Sequence, residues 1–260
     1  FFLYTASASS IVSSNNSISN IESNRDGISD FFSLSTNGEI TSNSNSLSDI
    51  YLNGTNSQCY FMNLTSTSGD ITCNENTIGN ETNTNITLNG NSDSYGILFS
   101  IPSGNTATVN ENVIQNVYLS NSGSSNQFYS ILSSGTGIFS SSSNEIKHIW
   151  TESTYATTAI YGFYQYNSGS NNLISGLRLN DFAVFTTSSN TTRNIGIYLS
   201  TDNTDGTIEK TRIVNFSNTA TGSPSEYGIY SVGNSSSWTY KNNVIIMDNE
   251  DNTNSLKLIP

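Results

Sequence analysis

A short unit recurs along the whole chain, and this repetition limits the available folds more than any other feature. Each copy places Asn, or in one case Thr, two residues before Ile or Leu. The copies begin at Asn16, Asn45, Asn76, Asn112, Asn144, Asn172, Thr211 and Asn243. The intervals run from 28 to 39 residues with a mean near 32, a period typical of proteins built from stacked structural repeats.

Each repeat contains more than one β-strand. An aliphatic residue often stands five positions before the repeated Asn, as at Ile11, Ile40 and Ile71, and a second apolar run follows later, as in IGIYLS from residue 195. Clusters of Gly, Ser and Asn separate these runs, which indicates strands and turns without helices. A propeller blade would need about 40–45 residues. The sequence therefore predicts an all-β fold, a parallel β-solenoid of about eight coils in a single domain over residues 1–260.

Two segments, GIYLS at 196–200 and NNLISG at 171–176, resemble the repeats of the right-handed parallel β-helix in the pectin-lyase-like superfamily. They are most similar to its carbohydrate-binding and sugar-hydrolase repeats, and the resemblance covers nearly the whole chain at the level of the fold. It implies a right-handed coil with a column of Asn stacked at one turn. Here that column would be Asn16, Asn45, Asn76, Asn112, Asn144, Asn172 and Asn243, with Thr211 as the exception. Asn suits this position because it tolerates the left-handed conformation and its amide can hydrogen-bond along the axis.

Composition excludes several functional classes. Ser, Asn and Thr number 48, 39 and 30 of the 260 residues, and all three are poor helix formers. Eight Lys and Arg against twenty Asp and Glu give a net charge of −12, so the sequence offers no basic patch for nucleic acid. No apolar run approaches the roughly 18 residues of a membrane span. The 12 Phe and 14 Tyr argue against a disordered chain.

Residues that carry chemistry are few and scattered. Lyases of the superfamily use an acidic Ca²⁺ cluster with a basic residue and its hydrolases use grouped Asp, but the sequence has neither pattern, so we expect no catalytic residues and no metal site. His148 is the only His and shares a repeat position with Asn20, Asp49, Asn80 and Asn116. This position predicts a turn residue rather than a catalytic base.

Two acidic residues and two cysteines leave alternatives open. Glu75 and Glu111 precede the repeated Asn in successive coils, so they are expected to stack about 5 Å apart. We expect a solvated pair and no cofactor, with Ca²⁺ binding as the alternative. Cys59 and Cys73 fit either one disulfide or two buried thiols.

The strand that reads Gly-Ile-Tyr-Leu is apolar on both faces in seven coils. Its Ile position predicts an inward column of Phe31, Tyr60, Ile97, Ile131, Phe163, Ile197 and Ile229. The next position predicts an outward column of Phe32, Phe61, Leu98, Leu132, Tyr164, Tyr198 and Tyr230, because adjacent strand residues face opposite sides. A sheet that is apolar on both faces is normally covered on both. We expect the outward column to be a binding surface for the chain's own loops, for another protein chain or neighbouring domain, or for a glycan.

Together these features predict a non-catalytic extracellular or cell-surface β-helix that acts as a structural or adhesive module and can self-associate. The sequence pI near 4.2 fits such a setting, and we expect the chain to be a segment of a longer exported protein. Two alternatives are a polysaccharide lyase or glycoside hydrolase of the pectin-lyase-like fold, and a segment of a viral or phage fibre.

Overall fold

The computed structural model describes residues 9–54, 57–82, 85–90, 92–121, 125–153, 157–186, 191–200, 204–219, 223–232 and 237–247. The regular structure of these residues consists of strands only. The strands pair in parallel and lie in three sheets. This arrangement confirms the prediction of an all-β parallel solenoid.

The strands are numbered in chain order. The first sheet contains β1 (Ser10–Ser14), β5 (Glu39–Asn43), β9 (Ile71–Asn74), β13 (Thr106–Asn110), β16 (Ile138–Ser142), β19 (Asn172–Ser175), β22 (Asp205–Glu209) and β25 (Ser237–Lys241). The second sheet contains β2 (Ser17–Ile18), β6 (Ser46–Leu47), β10 (Thr77–Ile78), β14 (Val113–Asn121), β17 (Glu145–Ser153), β20 (Arg178–Thr186), β23 (Arg212–Asn218) and β26 (Val244–Ile246), together with β3 (Ile21–Ser23), β7 (Ile50–Leu52) and β11 (Ile86–Asn89). The third sheet contains β4 (Gly27–Thr36), β8 (Ser57–Ser66), β12 (Ser94–Ile101), β15 (Ser125–Gly135), β18 (Thr157–Gln165), β21 (Thr191–Leu199) and β24 (Ser223–Ser231).

The chain passes through the three sheets in order, and each pass, which we call a coil, stacks on the previous one. Equivalent residues of the first five coils are 29, 31, 36 and 32 positions apart, which agrees with the repeat read from the sequence. The third sheet has seven strands where the first has eight. The described residues therefore form somewhat fewer complete coils than the eight predicted.

Inward residues of the three sheets form one apolar core along the axis of the solenoid. In the first sheet the inward column is Ile11, Ile40, Ile71, Ala107 and Phe139, in direct register and all buried. In the second sheet it is Leu47, Ile78, Ile114, Ile146, Leu179 and Ile213. Because each residue packs against its equivalents in neighbouring coils, no coil buries its apolar face alone.

Two turn positions repeat a left-handed backbone conformation. The first lies between the first and second sheets, at Asn15, Ser44, Glu75, Glu111, Ser143, Gly176, Lys210 and Asn242, with φ from 52° to 63°. The second lies within the second sheet, at Asn20, Asp49, Asn116, His148, Asp181 and Asn215. His148 therefore occupies the predicted turn register. Asn80 does not, because Ile86, the residue after Asn85, pairs with Ile50 and with Val117.

The third sheet bends once in every strand. In β12 the consecutive residues Gly96 and Ile97 are both buried, while Tyr95 and Leu98 on either side are partly exposed. A Cβ atom on Gly96 would lie 2.4 Å from the Ser130 carbonyl oxygen, so the bend favours a residue without a side chain. Two successive inward residues tilt the flanking outward residues toward each other, which makes the outer surface of this sheet concave.

Candidate functional site

Asn16, Asn45, Asn76, Asn112 and Asn144 form a continuous column of hydrogen-bonded amides, which we call the Asn ladder. Asn76 is representative. Its backbone N–H and its Nδ2 donate to Asn112 Oδ1 at 3.0 and 2.9 Å. Asn112 Nδ2 donates to the Cys73 carbonyl at 2.8 Å and to Asn144 Oδ1 at 2.9 Å. The ladder therefore supplies acceptors to backbone donors at a buried turn.

The prediction that Asn172 belongs to this ladder is wrong. Asn172 begins β19 in the first sheet, and the ladder position of that coil is occupied by Leu177, whose carbonyl accepts from the Arg212 N–H at 2.8 Å. The error arose because Asn172-Leu-Ile174 imitates the repeated unit. With Asn172, the interval from Asn144 is short and the interval to Thr211 is long. With Leu177, the two intervals are nearly equal. Asn243 does lie in register, and its Oδ1 accepts from the Thr211 N–H at 2.9 Å.

The predicted outward column is wrong in its first two members. Phe32 pairs with Met62 on the inward side, and Phe61 lies at the bend in register with Gly96. The two rings are 5% and 0% exposed. The outward positions of these coils are occupied by Ser33 and Asn63. Ser33 pairs with Asn63, and Asn63 pairs with Leu98 of the next coil. Runs of consecutive apolar residues permit a one-residue slip, and such a slip moves every side chain to the other face.

The other five members share one outward column. Leu98, Leu132, Tyr164, Tyr198 and Tyr230 are direct register partners in successive strands. The rings of Tyr164 and Tyr198 stack with centroids 4.7 Å apart, and those of Tyr198 and Tyr230 lie 5.4 Å apart. Their role as a binding surface stays a prediction.

A second outward column of tyrosines was not predicted. Its first member is Tyr60, and the prediction that Tyr60 faces inward is wrong. Tyr60, Tyr95, Tyr129 and Tyr161 pair in register, with centroids 4.7, 5.1 and 4.9 Å apart and ring planes within 8° of parallel. The signal was present in the sequence. Tyr recurs two residues before the inward Ile or Phe, followed by Gly in Tyr95-Gly96 and Tyr161-Gly162.

The two columns meet across the concave bend of the third sheet. The rings of Tyr161 and Tyr164 are 5.1 Å apart and nearly perpendicular, although residues three apart in an extended strand are about 10 Å apart. Tyr164 makes the same edge-to-face contact with Tyr129 of the previous coil. We call the combined set the tyrosine face. It comprises Tyr60, Tyr95, Tyr129, Tyr161, Tyr164, Tyr198, Tyr227 and Tyr230.

The tyrosine face is partly buried by its own packing. Tyr129 and Tyr161 are 9% and 5% exposed. The rings of Tyr95 and Tyr161 both stack on Tyr129, and Tyr161 also meets Tyr164 and Tyr198 edge to face. Burial raises the pKa of Tyr95 and of Tyr161 to about 12, and burial also raises the pKa of Tyr129. The phenols are therefore neutral at physiological pH, and Tyr129 donates its hydroxyl proton to Gln127 Oε1 at 2.9 Å.

The remaining candidate residues lie apart from this face. His148 Nδ1 is 2.7 Å from Asp181 Oδ2 in the next coil, and both side chains are more than a third exposed. Ser44 Oγ donates to Glu75 Oε2 at 3.1 Å. Cys59 and Cys73 are free and buried, on strands of different sheets. In the part of the chain that the structure describes, no three His, Cys, Asp or Glu side chains group as a metal site would require.

Comparison with known proteins adds no evidence about function. No protein family matches the sequence, and neither a curated protein nor a solved structure matches it. Among the described residues, no helix is long and apolar enough to cross a membrane.

Proposed function

We propose that the chain is a non-catalytic structural module of an extracellular or cell-surface rod. One observation carries this proposal: side chains stack from coil to coil in three separate places. The apolar core, the Asn ladder and the tyrosine face each run along the axis. Such contacts resist separation of the coils, which is the property that a structural rod under tension needs.

The packing of the tyrosine face favours a structural role over adhesion to glycans. A sugar ring binds aromatic residues by lying on an open ring face, whereas here the rings of Tyr95 and Tyr129 stack at 5.1 Å with an interplanar angle of 8°. The face therefore acts chiefly as a second apolar cluster outside the coil, with Ala159 and Ile195 buried within it.

A thermal-unfolding comparison tests whether the tyrosine face supports the coil. The double variant Tyr164→Ser/Tyr198→Ser removes a stacked pair and its contacts with Tyr129 and Tyr161. We expect a loss of about 2–4 kcal/mol, from apolar burial plus about 0.5–1.5 kcal/mol for the aromatic pair. The control Tyr51→Ser changes a tyrosine outside the face that is 39% exposed, and should cost less than about 1 kcal/mol. Equal losses in the two variants would contradict the structural role.

Incubation with a panel of acidic and neutral polysaccharides tests the absence of catalysis. The proposal predicts that every polymer keeps its length, measured by new reducing ends and by absorbance of unsaturated products. Cleavage of any polymer above the buffer control would favour the lyase or hydrolase alternative. The mass in solution separates a single rod from a trimeric fibre, since a trimer would favour the viral or phage alternative.

A further inference from the structure

The tyrosine face brings eight phenol rings into one continuous series of contacts. Tyr60, Tyr95, Tyr129 and Tyr161 stack in sequence at 4.7–5.1 Å. The series continues from Tyr161 through edge-to-face contacts to Tyr164 and Tyr198 of the other outward column. Tyr198 contacts Tyr230. The Tyr230 ring lies 4.5 Å from that of Tyr227, which shares the register of Tyr161 through Ile195. Every link joins two phenols whose rings are in or near van der Waals contact.

Phenols in this arrangement are suited to radical coupling. Loss of one electron and the hydroxyl proton converts tyrosine into a phenoxyl radical, whose unpaired electron is shared with the ring carbons ortho to the oxygen. Two such radicals on adjacent rings form a carbon–carbon bond. The ring stack holds the partners together before oxidation, so the reaction needs no encounter between molecules.

We propose that the tyrosine face is an oxidative cross-linking site, at which a peroxidase-class oxidant with hydrogen peroxide joins tyrosines of successive coils as dityrosine. Each cross-link breaks one ortho C–H bond on each ring and forms one C–C bond between them. The two rings lose two electrons and two protons in total, and one hydrogen peroxide takes these up and becomes two waters. The product is a covalent bond between neighbouring coils. This chemistry does not depend on whether the chain serves as a rod.

Tyr60 and Tyr95 form the pair best placed to react. Their rings lie 4.7 Å apart with planes within 4° of parallel, the closest stack in their column, and both side chains are partly exposed to an oxidant. The Asp93 carboxylate acts electrostatically on both phenols. The buried Tyr129 and Tyr161 are reached by transfer of the radical from ring to ring.

The test treats dilute purified protein with horseradish peroxidase and hydrogen peroxide. We expect dityrosine fluorescence in protein that remains monomeric, a mass loss of two hydrogens per cross-link, and cross-linked peptides that join Tyr60 to Tyr95 and Tyr164 to Tyr198. Protein unfolded in urea should lose these specific pairs. Dityrosine found only between molecules, or only at the exposed Tyr51, would overturn the proposal, as would a lack of dityrosine in the folded protein.

Matched variants locate the reaction. Tyr95→Phe keeps the stack but removes one phenol, so the Tyr60–Tyr95 peptide should disappear while the Tyr164–Tyr198 peptide remains. Tyr51→Phe removes an exposed tyrosine outside the face and should leave both peptides unchanged. Far-ultraviolet circular dichroism checks that each variant is folded. Loss of either peptide in folded Tyr51→Phe would contradict the assignment. Loss of the Tyr164–Tyr198 peptide in folded Tyr95→Phe would also contradict it.

Discussion

The side chain of Asn112 makes five hydrogen bonds inside the coil, three as an acceptor, including one from the Cys73 thiol, and two as a donor. It is 1% exposed, so water cannot replace a lost partner. The same amide geometry recurs at Asn45 and Asn76. Leu177 shows that one coil tolerates an apolar residue at this position, but there the neighbouring positions are Asn144 and Thr211 rather than two asparagines.

Replacing Asn112 by Leu should destabilise the fold by about 1–3 kcal/mol, because buried donors on Asn76 and an acceptor on Asn144 lose their partner. Urea unfolding measures the change. Asn53→Leu is the control, since Asn53 is exposed and its loss should cost less than about 0.5 kcal/mol. Equal stability of Asn112→Leu and the parent would show that the ladder contributes nothing.

The burial of Glu226 is expected to make the free energy of unfolding depend on pH. Its carboxylate oxygens are shielded from solvent without a hydrogen-bond partner, in register with the buried Asn194, and burial raises the pKa of Glu226 from 4.5 to about 7. The folded state favours the protonated carboxyl of Glu226. Its contribution to the free energy of unfolding is therefore complete below about pH 4.5 and is lost as the pH rises through 7.

Unfolding of the parent and Glu226→Gln at pH 5 and pH 8 tests this dependence. The amide cannot ionise, so the variant should gain about 1–2 kcal/mol relative to the parent on moving from pH 5 to pH 8, after allowance for partial exposure. An unchanged difference between the two proteins at both pH values would show that Glu226 is not responsible.

The bend of the third sheet creates a concave outer face, and four of its strands, β12, β18, β21 and β24, carry Gly at the bend. A Cβ on Gly162 would lie 2.6 Å from the Gly196 carbonyl oxygen and 2.7 Å from Leu179 Cδ1. The equivalent residue of the preceding strand is Ser130, fully buried, with its hydroxyl unpartnered. The bend therefore accepts a side chain only where the neighbouring coils leave room.

Gly162→Ala should destabilise the protein by about 1–3 kcal/mol through overpacking. Ser130→Ala is the matched control at the same position of the preceding coil. It keeps the Cβ and removes an unsatisfied hydroxyl, so it should be neutral or slightly stabilising. Calorimetric melting of both variants provides the comparison, and a harmless Gly162→Ala would mean that the bend is not closely packed.

The strands themselves were predictable because their hydrophobic period is two and their turns are rich in Asn, Ser and Gly. Register was harder to predict, because it depends on which of several adjacent apolar residues faces inward. Tyr60-Phe61-Met62 reads equally well in two registers, and only pairing with Tyr95 and Ile97 in the next coil decides between them. The stacking of tyrosines could not be read at all without knowledge of the bend, since Tyr161 and Tyr164 are too far apart in a straight strand.

Considered as a whole, the solenoid concentrates its stabilising contacts between coils. Parallel backbone pairing, the core, the Asn ladder and the tyrosine face all connect residues about one coil apart in sequence. A net charge of −12 opposes compaction of the whole chain, yet few charged side chains interrupt these contacts. Register is thus the property on which the core, the Asn ladder, the tyrosine face and the proposed cross-linking depend.

Disulfide trapping in the third sheet tests that register. Asn63 and Leu98 are direct outward partners, so Asn63→Cys/Leu98→Cys places two Cα atoms about 4.8 Å apart, within the roughly 4.4–6.8 Å that a disulfide spans. The account predicts rapid bridging of this pair under mild oxidation, identified by peptide mapping. It predicts no bridge in Phe61→Cys/Leu98→Cys, where the two side chains point to opposite faces. Bridging of the second pair instead of the first would show that the strands are shifted and that the tyrosine face does not exist as described.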